Sequence, residues 1–341
     1  MTAIDPTTPH PTNRLATRLQ RRFVAAVAIS IAAATSGFLI GLPSASRAAD
    51  VLQEINHTCA VNEGCFAGDA AGYPVTISAT GRYRLTGNLV IPDAATVGIS
   101  IAADHVDLDL SGFVVRGPVV CSGVPLVCTP SNGTAAGIAS TPGRVGVRVR
   151  NGVVRGAGFG GIALGAESTV EDVRVRSNGG NGIVVGDESK VSGAISSQNE
   201  NNGVVVRRGS VVSECVVSRN AQSGLVLGAG TGGDGSGAVI SASLLYQNEI
   251  SGIFTSEVGV DLAGATVTGN VVYDNGFGGI VINQGGNAVS GNVVVSNTDT
   301  GLLAGASSVT DNTVAGNGLD VHASTGSFLG GNSCGGTATC P

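Results

Sequence analysis

The chain has 341 residues, of which 54 are glycine and only 12 are aromatic, with no tryptophan. Only 12% of the residues are charged although the mean hydropathy is +0.30, which excludes a long disordered chain, because disordered chains are highly charged and poor in aliphatic residues. The glycines follow no three-residue period, which excludes collagen, and the formal net charge of −6 disfavours nucleic acid as a partner.

Residues 1–48 have the pattern of a targeting segment. Four arginines precede an apolar run over 23–42, and small residues around Ser46 and Ala48 suit a signal peptidase. We expect a cleaved signal peptide and a secreted or periplasmic protein with no membrane contact afterwards; a retained anchor is the alternative. The mature chain would have a net charge of −10, and no lysine or arginine follows Arg219. A polyanion would therefore bind only the first half.

Six of the seven cysteines form close pairs in the sequence. Export favours short disulfides between the paired residues Cys59–Cys65, Cys121–Cys128 and Cys334–Cys340. The seventh, Cys215, is interpreted as a small buried residue. Tight Cys/His pairs are missing, so we predict neither a metal site nor a cofactor.

A repeat governs the middle of the chain. An asparagine recurs every 20–28 residues ahead of a Gly-Ile, Gly-Val or Gly-Leu step, at Asn178, Asn199, Asn220, Asn248, Asn275, Asn297 and Asn317. Each repeat holds three short β-branched runs separated by turn residues, and none is long enough for a helix. The pattern predicts an all-β fold: a single-stranded right-handed parallel β-helix, or solenoid, of about ten coils with capped ends, roughly 50 Å long.

The same repeat sets the predicted boundaries. The signal peptide covers 1–48, an N-terminal cap 49–78, the parallel β-helix 79–326 and a C-terminal disulfide cap 327–341. Caps are expected because the open ends of a strand stack would otherwise pair with other chains.

Two kinds of column follow from alignment of the repeats. The third run predicts one inward column in which stacked asparagines bond from coil to coil: Val173, Ala194, Cys215, Ser243, Asn270, Asn292 and Asn312. The repeat asparagines and glycines themselves are predicted to be turn residues with left-handed backbone.

The first run predicts an apolar outward column, made of Ala163, Val184, Val205, Val226, Phe254, Val281 and Leu303. If inside and outside are reversed, the column becomes Ile162, Ile183, Val204, Leu225, Ile253, Ile280 and Leu302. Neither alternative offers a titratable group for proton transfer. So large an apolar face predicts a covering loop, another partner or self-association.

Three stretches carry a resemblance to a known family: ATGRYRLTGNL (79–89), AADHVDLDLSGFVVRG (102–117) and GGNSCGGTATC (330–340). The chain resembles exported bacterial right-handed parallel β-helix repeat proteins of uncharacterised role in the pectin-lyase-like group. The resemblance implies this fold and a place in the bacterial envelope. Enzymes of the group, such as pectate lyases and alginate epimerases, carry charged residues on the outer face of the first strand, where this chain is apolar.

Two clusters of charged residues are candidate sites. His105, Asp107 and Asp109 alternate with apolar residues, so they are predicted on one outward face, where they would either perform acid–base chemistry or remain solvated. The ligand-binding candidates Arg148, Arg150, Arg174 and Arg176 are predicted to stack on the outer face of the third strand. They would bind an anionic glycan or form salt bridges with Glu167, Glu171 and Asp172.

Two long loops and two tyrosines complete the candidates. Asp234, Glu257 and Asp261 lie in insertions near 228–237 and 256–265, and they would serve as an acid pair for glycoside chemistry, as Ca²⁺ ligands or as neither. Tyr246 and Tyr273 are predicted to stack outward on neighbouring coils, as a sugar-binding surface or a purely structural ladder.

The predicted function is non-catalytic binding of a polysaccharide or another envelope component. One alternative is a carbohydrate-active enzyme, a polysaccharide lyase, epimerase or glycoside hydrolase, using His105, Asp107 and Asp109 or the loop carboxylates Glu257 and Asp261. The other alternative is a structural or oligomeric surface protein that associates through the apolar first-strand face.

Overall fold

The computed structural model describes residues 51–131, 133–228, 234–255, 263–323, 327–328 and 330–335. Within these ranges the only helix is His57–Asn62, and the remaining regular elements are strands. The strands stack as three parallel ladders, which confirms the predicted all-β parallel β-helix. The predicted signal peptide lies outside the described residues.

The first ladder has eleven strands among the described residues. They are Val75–Ile77, Ile99–Ile101, Ala136–Ser140, Gly160–Ala163, Ile183–Val184, Val204–Val206, Leu225–Leu227, Ile253–Thr255, Ile280–Ile282, Thr300–Ala304 and Leu319–Ala323. The β-helix therefore has eleven coils in the described part of the chain, close to the ten that the sequence predicts.

The second and third ladders share two long strands and so form one continuous sheet. The second ladder consists of Gln53–Ile55, Gly81–Leu85, Val106–Asp109, the first halves of Arg148–Arg155 and Thr169–Arg176, Lys190–Ser192, Val211–Ser213, Val239–Ser241, Thr266–Thr268, Ala288–Ser290, Ser308–Thr310 and Ser327–Phe328. The third consists of Leu89–Val90, Val114–Arg116, the second halves of the two long strands, Ile195–Ser197, Val216–Ser218, Leu244–Tyr246, Val271–Tyr273, Val293–Val295, Thr313–Ala315 and Ser333–Cys334.

Each coil bends at three corners, and in the seven coils whose corners run from Gly146 to Ser296 a residue with positive φ stands at every corner. In one coil these are Glu188 (φ 55), Gly193 (φ 61) and Gln198 (φ 55). The left-handed conformation is open to glycine and to a few polar residues, which is why both kinds recur there. The first corner precedes the second ladder, the second corner joins the second and third ladders, and the third corner follows the third ladder.

The core is filled by aliphatic side chains. The inward column of the first ladder, from Ile162 to Leu302, is 0–1% exposed, so the predicted assignment of inside and outside is correct. In the outward column Val205, Val226 and Val281 are only 2–5% exposed in the single chain. The apolar surface free for a partner is therefore smaller than predicted, and self-association through it stays a prediction.

Two asparagine ladders run along the interior. The predicted one is present: Asn270, Asn292 and Asn312 each donate Nδ2 to the Oδ1 of the next coil's asparagine at 2.9–3.1 Å. The repeat asparagines form a second ladder from Asn178 to Asn317, with Nδ2 to Oδ1 distances of 2.9 Å. The prediction of left-handed backbone is wrong for these asparagines and also for the repeat glycines, such as Gly182 and Gly203, whose φ is not positive.

The physical reason is that the asparagine and the residue before it have different roles at the corner. The residue before the asparagine takes the positive φ, as Gln198 does before Asn199. The asparagine itself turns inward and is fully buried. Its amide then meets hydrogen-bonding groups that would otherwise be unsatisfied at the corner, including the backbone amide of the preceding coil's asparagine.

The ends of the stack extend past the predicted coil boundaries. Gln53–Ile55 already pairs with Gly81–Leu85, and Ser333–Cys334 still pairs with Thr313–Ala315. The disulfides Cys59–Cys65 and Cys121–Cys128 are present as predicted, whereas Cys340 of the third pair lies outside the described residues. Within the described ranges, no helix is long and apolar enough to cross a membrane.

Candidate functional site

The outer face of the third ladder carries three arginines in register. Arg155 pairs with Arg116 on one side and with Arg176 on the other. The residue before each arginine, Val115, Val154 or Val175, is fully buried, so alternation along the strand directs the arginines outward. We call Arg116, Arg155 and Arg176 the arginine stack.

The arginine stack is not neutralised by the protein. None of its three members has a carboxylate within ion-pair distance among the described residues, and Arg174 beside it has none either. Several arginines outside this face do have carboxylate partners: Arg84 pairs with Glu54, and Arg144 pairs with Asp104 at 3.5 Å. Unpaired like charges in adjacent strands repel each other, which is unfavourable in the absence of a counter-charge.

The same column continues toward the C-terminus with hydroxyl and aromatic residues. Ser197 and Ser218 follow Arg176 in register, and Tyr246 and Tyr273 come next. The tyrosine rings are parallel within 2°, with centroids 5.1 Å apart, as predicted for outward residues on neighbouring coils. We call this pair the tyrosine stack.

A hairpin lies along the third corner. Its strands Val120–Ser122 and Val127–Thr129 are antiparallel and joined by the disulfide Cys121–Cys128. Both sulfur atoms lie against the carbonyl oxygen of Asn178, at 3.8 and 3.6 Å, and the Leu126 amide donates to the Glu249 carboxylate. Residues 118–130, which we call the strap, therefore span the corner from the coil of Asn178 to that of Glu249.

Two cavities flank the strap. One, of about 460 Å³, is lined by Arg116 and Arg155 of the arginine stack together with Pro118 and Val119 of the strap. The other, of about 480 Å³, lies at the tip of the strap and is called the strap cavity. Both volumes lie in the range of small-molecule sites.

The predicted stacking of Arg148 and Arg150 on Arg174 and Arg176 is wrong. Arg148 and Arg150 belong to the second ladder, where Arg150 lies in strand register with Asp109 on one side and Glu171 on the other. Arg174 and Arg176 belong to the third ladder, one corner further along. The cause is that both long strands run through a corner, at Asn151 and Asp172, so that one sequence run supplies two ladders.

The second-ladder arginines form salt bridges, as the alternative interpretation predicts, but of the three predicted acids only Glu171 takes part. Arg148 pairs with Glu171, and Arg150 contacts Asp107 at 3.2 Å and Asp109 at 2.9 Å. Burial lowers the pKa of Arg150, but the hydrogen bond to Asp107 and the charges of Asp107, Asp109 and Glu171 outweigh it, and the net shift is upward.

The early His/Asp group is only partly assembled. Asp107 and Asp109 share an outward face as predicted, but His105 precedes the strand with a φ of 53° and does not join the alternation. Its ring packs over Gly146, where an added Cβ would lie 2.3 Å from Nδ1. Both carboxylates are engaged by Arg150, so this group lacks a free acid–base pair.

The loop candidates are mostly outside the described part of the chain. Glu257 and Asp261 lie outside it, and Asp234 accepts a hydrogen bond from the Ser236 amide at 3.2 Å. The acid pair and the Ca²⁺ site stay predictions. Among the described residues, no group of three or more His, Cys, Asp or Glu side chains is arranged to hold a metal ion.

Cys215 is buried, as predicted, and does not belong to a disulfide. Burial raises the pKa of its thiol to about 11, although hydrogen bonds to backbone groups oppose the shift. A reactive thiolate is therefore disfavoured at this position.

Sequence reasoning missed Arg116, Arg155 and the strap. A signal for the arginines was available, because the tetrapeptide Val-Val-Arg-Gly occurs at 114–117 and again at 153–156. For the strap, the only signal in the sequence was its pair of cysteines. No local pattern indicates that a hairpin inserted in an early coil contacts Glu249, more than a hundred residues later in the chain.

Comparison with known proteins supports the fold. A family model described as "Right handed beta helix region" matches residues 160–319. The Dettilon tailspike protein is 15% identical with a TM-score of 0.58 over 70% of this chain and 53% of its own. This chain thus spans about half of the tailspike's length.

Two enzymes are similar over most of their length. The A-module of the mannuronan C-5 epimerase AlgE4 from Azotobacter vinelandii is 15% identical with a TM-score of 0.59, covering 75% of this chain and 87% of its own. Pectate lyase Pel9A is 13% identical with a TM-score of 0.51, covering 82% and 79%. A search of curated proteins finds no match. At these identities the likeness concerns the fold alone, and it confirms the predicted right-handed coil.

Proposed function

We propose that this chain, a right-handed parallel β-helix of the pectin-lyase-like group, binds an acidic polysaccharide on the outer face of its third ladder. The observation that carries the proposal is the arginine stack, in which Arg116, Arg155 and Arg176 adjoin in register without carboxylate partners. Uronate-containing glycans are the ligand class that fits, because guanidinium groups bind carboxylates with two parallel hydrogen bonds.

Electrostatics favours an external anion here. Neighbouring coils are about 4.8 Å apart, and two like charges at that distance repel by about 1 kcal/mol even in water. A row of carboxylates along the coil axis converts this repulsion into attraction. The net charge of the rest of the mature chain is acidic, which favours this stack over other surfaces as the place where a polyanion binds.

The direction of the column suits a chain-like ligand. Arg176 and Tyr246 are three coils apart, about 14 Å, with Ser197 and Ser218 between them. A glycan lying parallel to the coil axis would meet guanidinium groups first, then the partly exposed Ser197, and then the tyrosine rings, whereas Ser218 is only 4% exposed. Aromatic side chains offer large apolar contact area, which complements the apolar faces of sugar rings.

Two further observations support the proposal. The similar proteins include enzymes named for mannuronan and pectate, and a tailspike. The disulfides Cys59–Cys65 and Cys121–Cys128 support export, because disulfides persist in oxidising compartments such as the periplasm and the bacterial exterior.

The test is a binding measurement with polygalacturonate, polymannuronate and a neutral glucan. The triple variant Arg116→Ser, Arg155→Ser, Arg176→Ser is expected to lose at least tenfold in affinity for one of the polyuronates. Affinity of the unchanged protein should also fall with salt, because the interaction is ionic.

The matched control removes the same charge from paired arginines. The variant Arg84→Ser, Arg144→Ser, Arg208→Ser changes residues that each have a carboxylate partner, and it should bind within twofold of the unchanged protein. Equal losses in both triple variants, or no polyuronate binding at all, would refute the proposal. Formation of unsaturated products or new reducing ends in the same mixtures would instead favour the alternative of a lyase or hydrolase.

A further inference from the structure

The strap cavity is separate from the arginine stack and has its own chemistry. It is lined by Gly123, Val124 and Leu126 of the strap on one side, and by side chains of the third corner on the other. These corner side chains are Gln198, Arg219, Gln247 and Asp274, and Glu249 lies beside them.

The corner positions are unusual in their residue types. At the first corner glycine takes most of the positive-φ positions, as at Gly209, Gly237 and Gly264. At the third corner, the six successive coils from Ser177 to Ser296 each place a larger polar residue there. A non-glycine residue in this conformation carries a backbone cost that glycine would avoid. Non-glycine residues also occur at the second corner, as at Asp172 and Glu214, but the third corner is the one that the strap covers.

The polar groups of the cavity are already in place. Arg219 donates Nε to the Oε1 of Gln247 at 3.0 Å, and the Glu249 carboxylate accepts the Leu126 amide and so holds the strap tip. The Gln247 amide NH₂ and the carboxylates of Asp274 and Glu249 still have donor and acceptor capacity. The cavity thus offers both hydrogen-bond donors and acceptors next to apolar strap side chains.

The charges that line the cavity disfavour an anionic ligand. It holds two carboxylates and one guanidinium, and the half of the chain from Asn220 onward contains no lysine or arginine. Tyr246 and Tyr273 directly precede Gln247 and Asp274, so the tyrosine stack lies on the adjoining strand ends. Hydroxyl groups, which both donate and accept, satisfy such a set of partners without the desolvation of a further charge.

We propose that the strap cavity is a binding subsite for a neutral sugar unit, distinct from the acidic-glycan site on the arginine stack. The sugar hydroxyls bond to Gln247, Asp274 and Gln198, and its apolar face packs against the strap at Leu126. The proposal does not depend on the proposed function, because a neutral ligand does not require the arginine stack.

The experiment uses the mature chain with immobilised neutral oligosaccharides of glucose, galactose, mannose and xylose, followed by saturation-transfer NMR on the binders. The double variant Gln247→Ala, Asp274→Ala is expected to weaken binding of the positive probe at least tenfold. Alanine fits the backbone there, since Ala242 already has a φ of 48° at another corner of this chain.

The matched control is Gln222→Ala, Asp299→Ala, which changes the same residue types at exposed positions outside the cavity lining. It should bind within twofold of the unchanged protein. The triple variant of the arginine stack should also keep neutral-sugar binding while losing polyuronate binding, so the two proposals fail separately. The inference is overturned if no neutral probe binds, or if the cavity variant binds as well as its control.

Discussion

Single residues in this protein hold the coils together through side-chain amides rather than aromatic packing. Asn248 illustrates the device: it is fully buried, accepts from the backbone and side-chain amides of Asn220, and donates to Asn275. A buried amide is favourable only when its hydrogen bonds are made, and the in-register stack makes them on both sides.

Removing one side-chain amide from the asparagine ladder is expected to lower the free energy of unfolding. In Asn248→Ala the Asn220 backbone amide loses its acceptor in a dry interior, so the free energy of unfolding should fall by about 3 kcal/mol. The change is read as a lower urea midpoint in circular dichroism. Asn201→Ala, at a partly exposed position near the same corner, should shift unfolding by less than about 0.5 kcal/mol, and equal shifts would contradict the ladder's importance.

The Cys215 thiol is expected to be inert in the folded protein. It is 1% exposed, and burial raises its pKa to about 11, so at pH 8 only about 0.1% of it is thiolate. A disulfide reagent at pH 8 should label no thiol in the native chain and one in urea. Native labelling at a rate close to that of the unfolded chain would contradict the burial of Cys215.

At the scale of elements, the strap packs on the outside of the β-helix and is not part of its main core. Val119, Cys121 and Cys128 form a small buried cluster of their own, apart from the main core. The disulfide joins two residues seven positions apart in the sequence, and Glu249 accepts a hydrogen bond from the tip. The strap therefore shapes the strap cavity without contributing a rung to the ladders.

Opening the strap is expected to leave the coils intact. The double variant Cys121→Ser, Cys128→Ser loses about 2–3 kcal/mol of local constraint, so residues 118–130 should become sensitive to protease while the far-ultraviolet spectrum is unchanged. The control Cys59→Ser, Cys65→Ser acts where Cys65 packs on the main core, and it should lower the unfolding midpoint instead. Cleavage elsewhere in the rod of the strap variant would contradict the separation of the strap from the main core.

At the scale of the whole molecule, the repeat period predicted the coil, the inward face and the tyrosine stack, because these depend only on residues one period apart. It did not predict the ladder membership of Arg148 or the depth of Asn178, since one corner residue with positive φ changes which strand a run belongs to. The strap was not predicted because its partner Glu249 lies five coils away along the axis and 123 residues away along the sequence.

If each coil contacts only its neighbours, a whole coil is removable. Deleting residues 276–297 joins Asn275 to Thr298, brings Asn275 against Asn317, and leaves the strap contacts at Asn178 and Glu249 in place. The shortened chain is expected to fold with the same strand content, and scattering should give a rod about 4.8 Å shorter.

The control deletion covers 276–286, which removes the first-ladder strand Ile280–Ile282 but keeps Ala288–Ser290 and Val293–Val295. That chain cannot close the coil, because one side of the core is left without its strand and the asparagine ladder loses register with the corner. It should aggregate or unfold at much lower urea concentration. If the half-coil deletion proves as stable as the full-coil deletion, stability does not depend on complete coils, and the additive view of this rod is wrong.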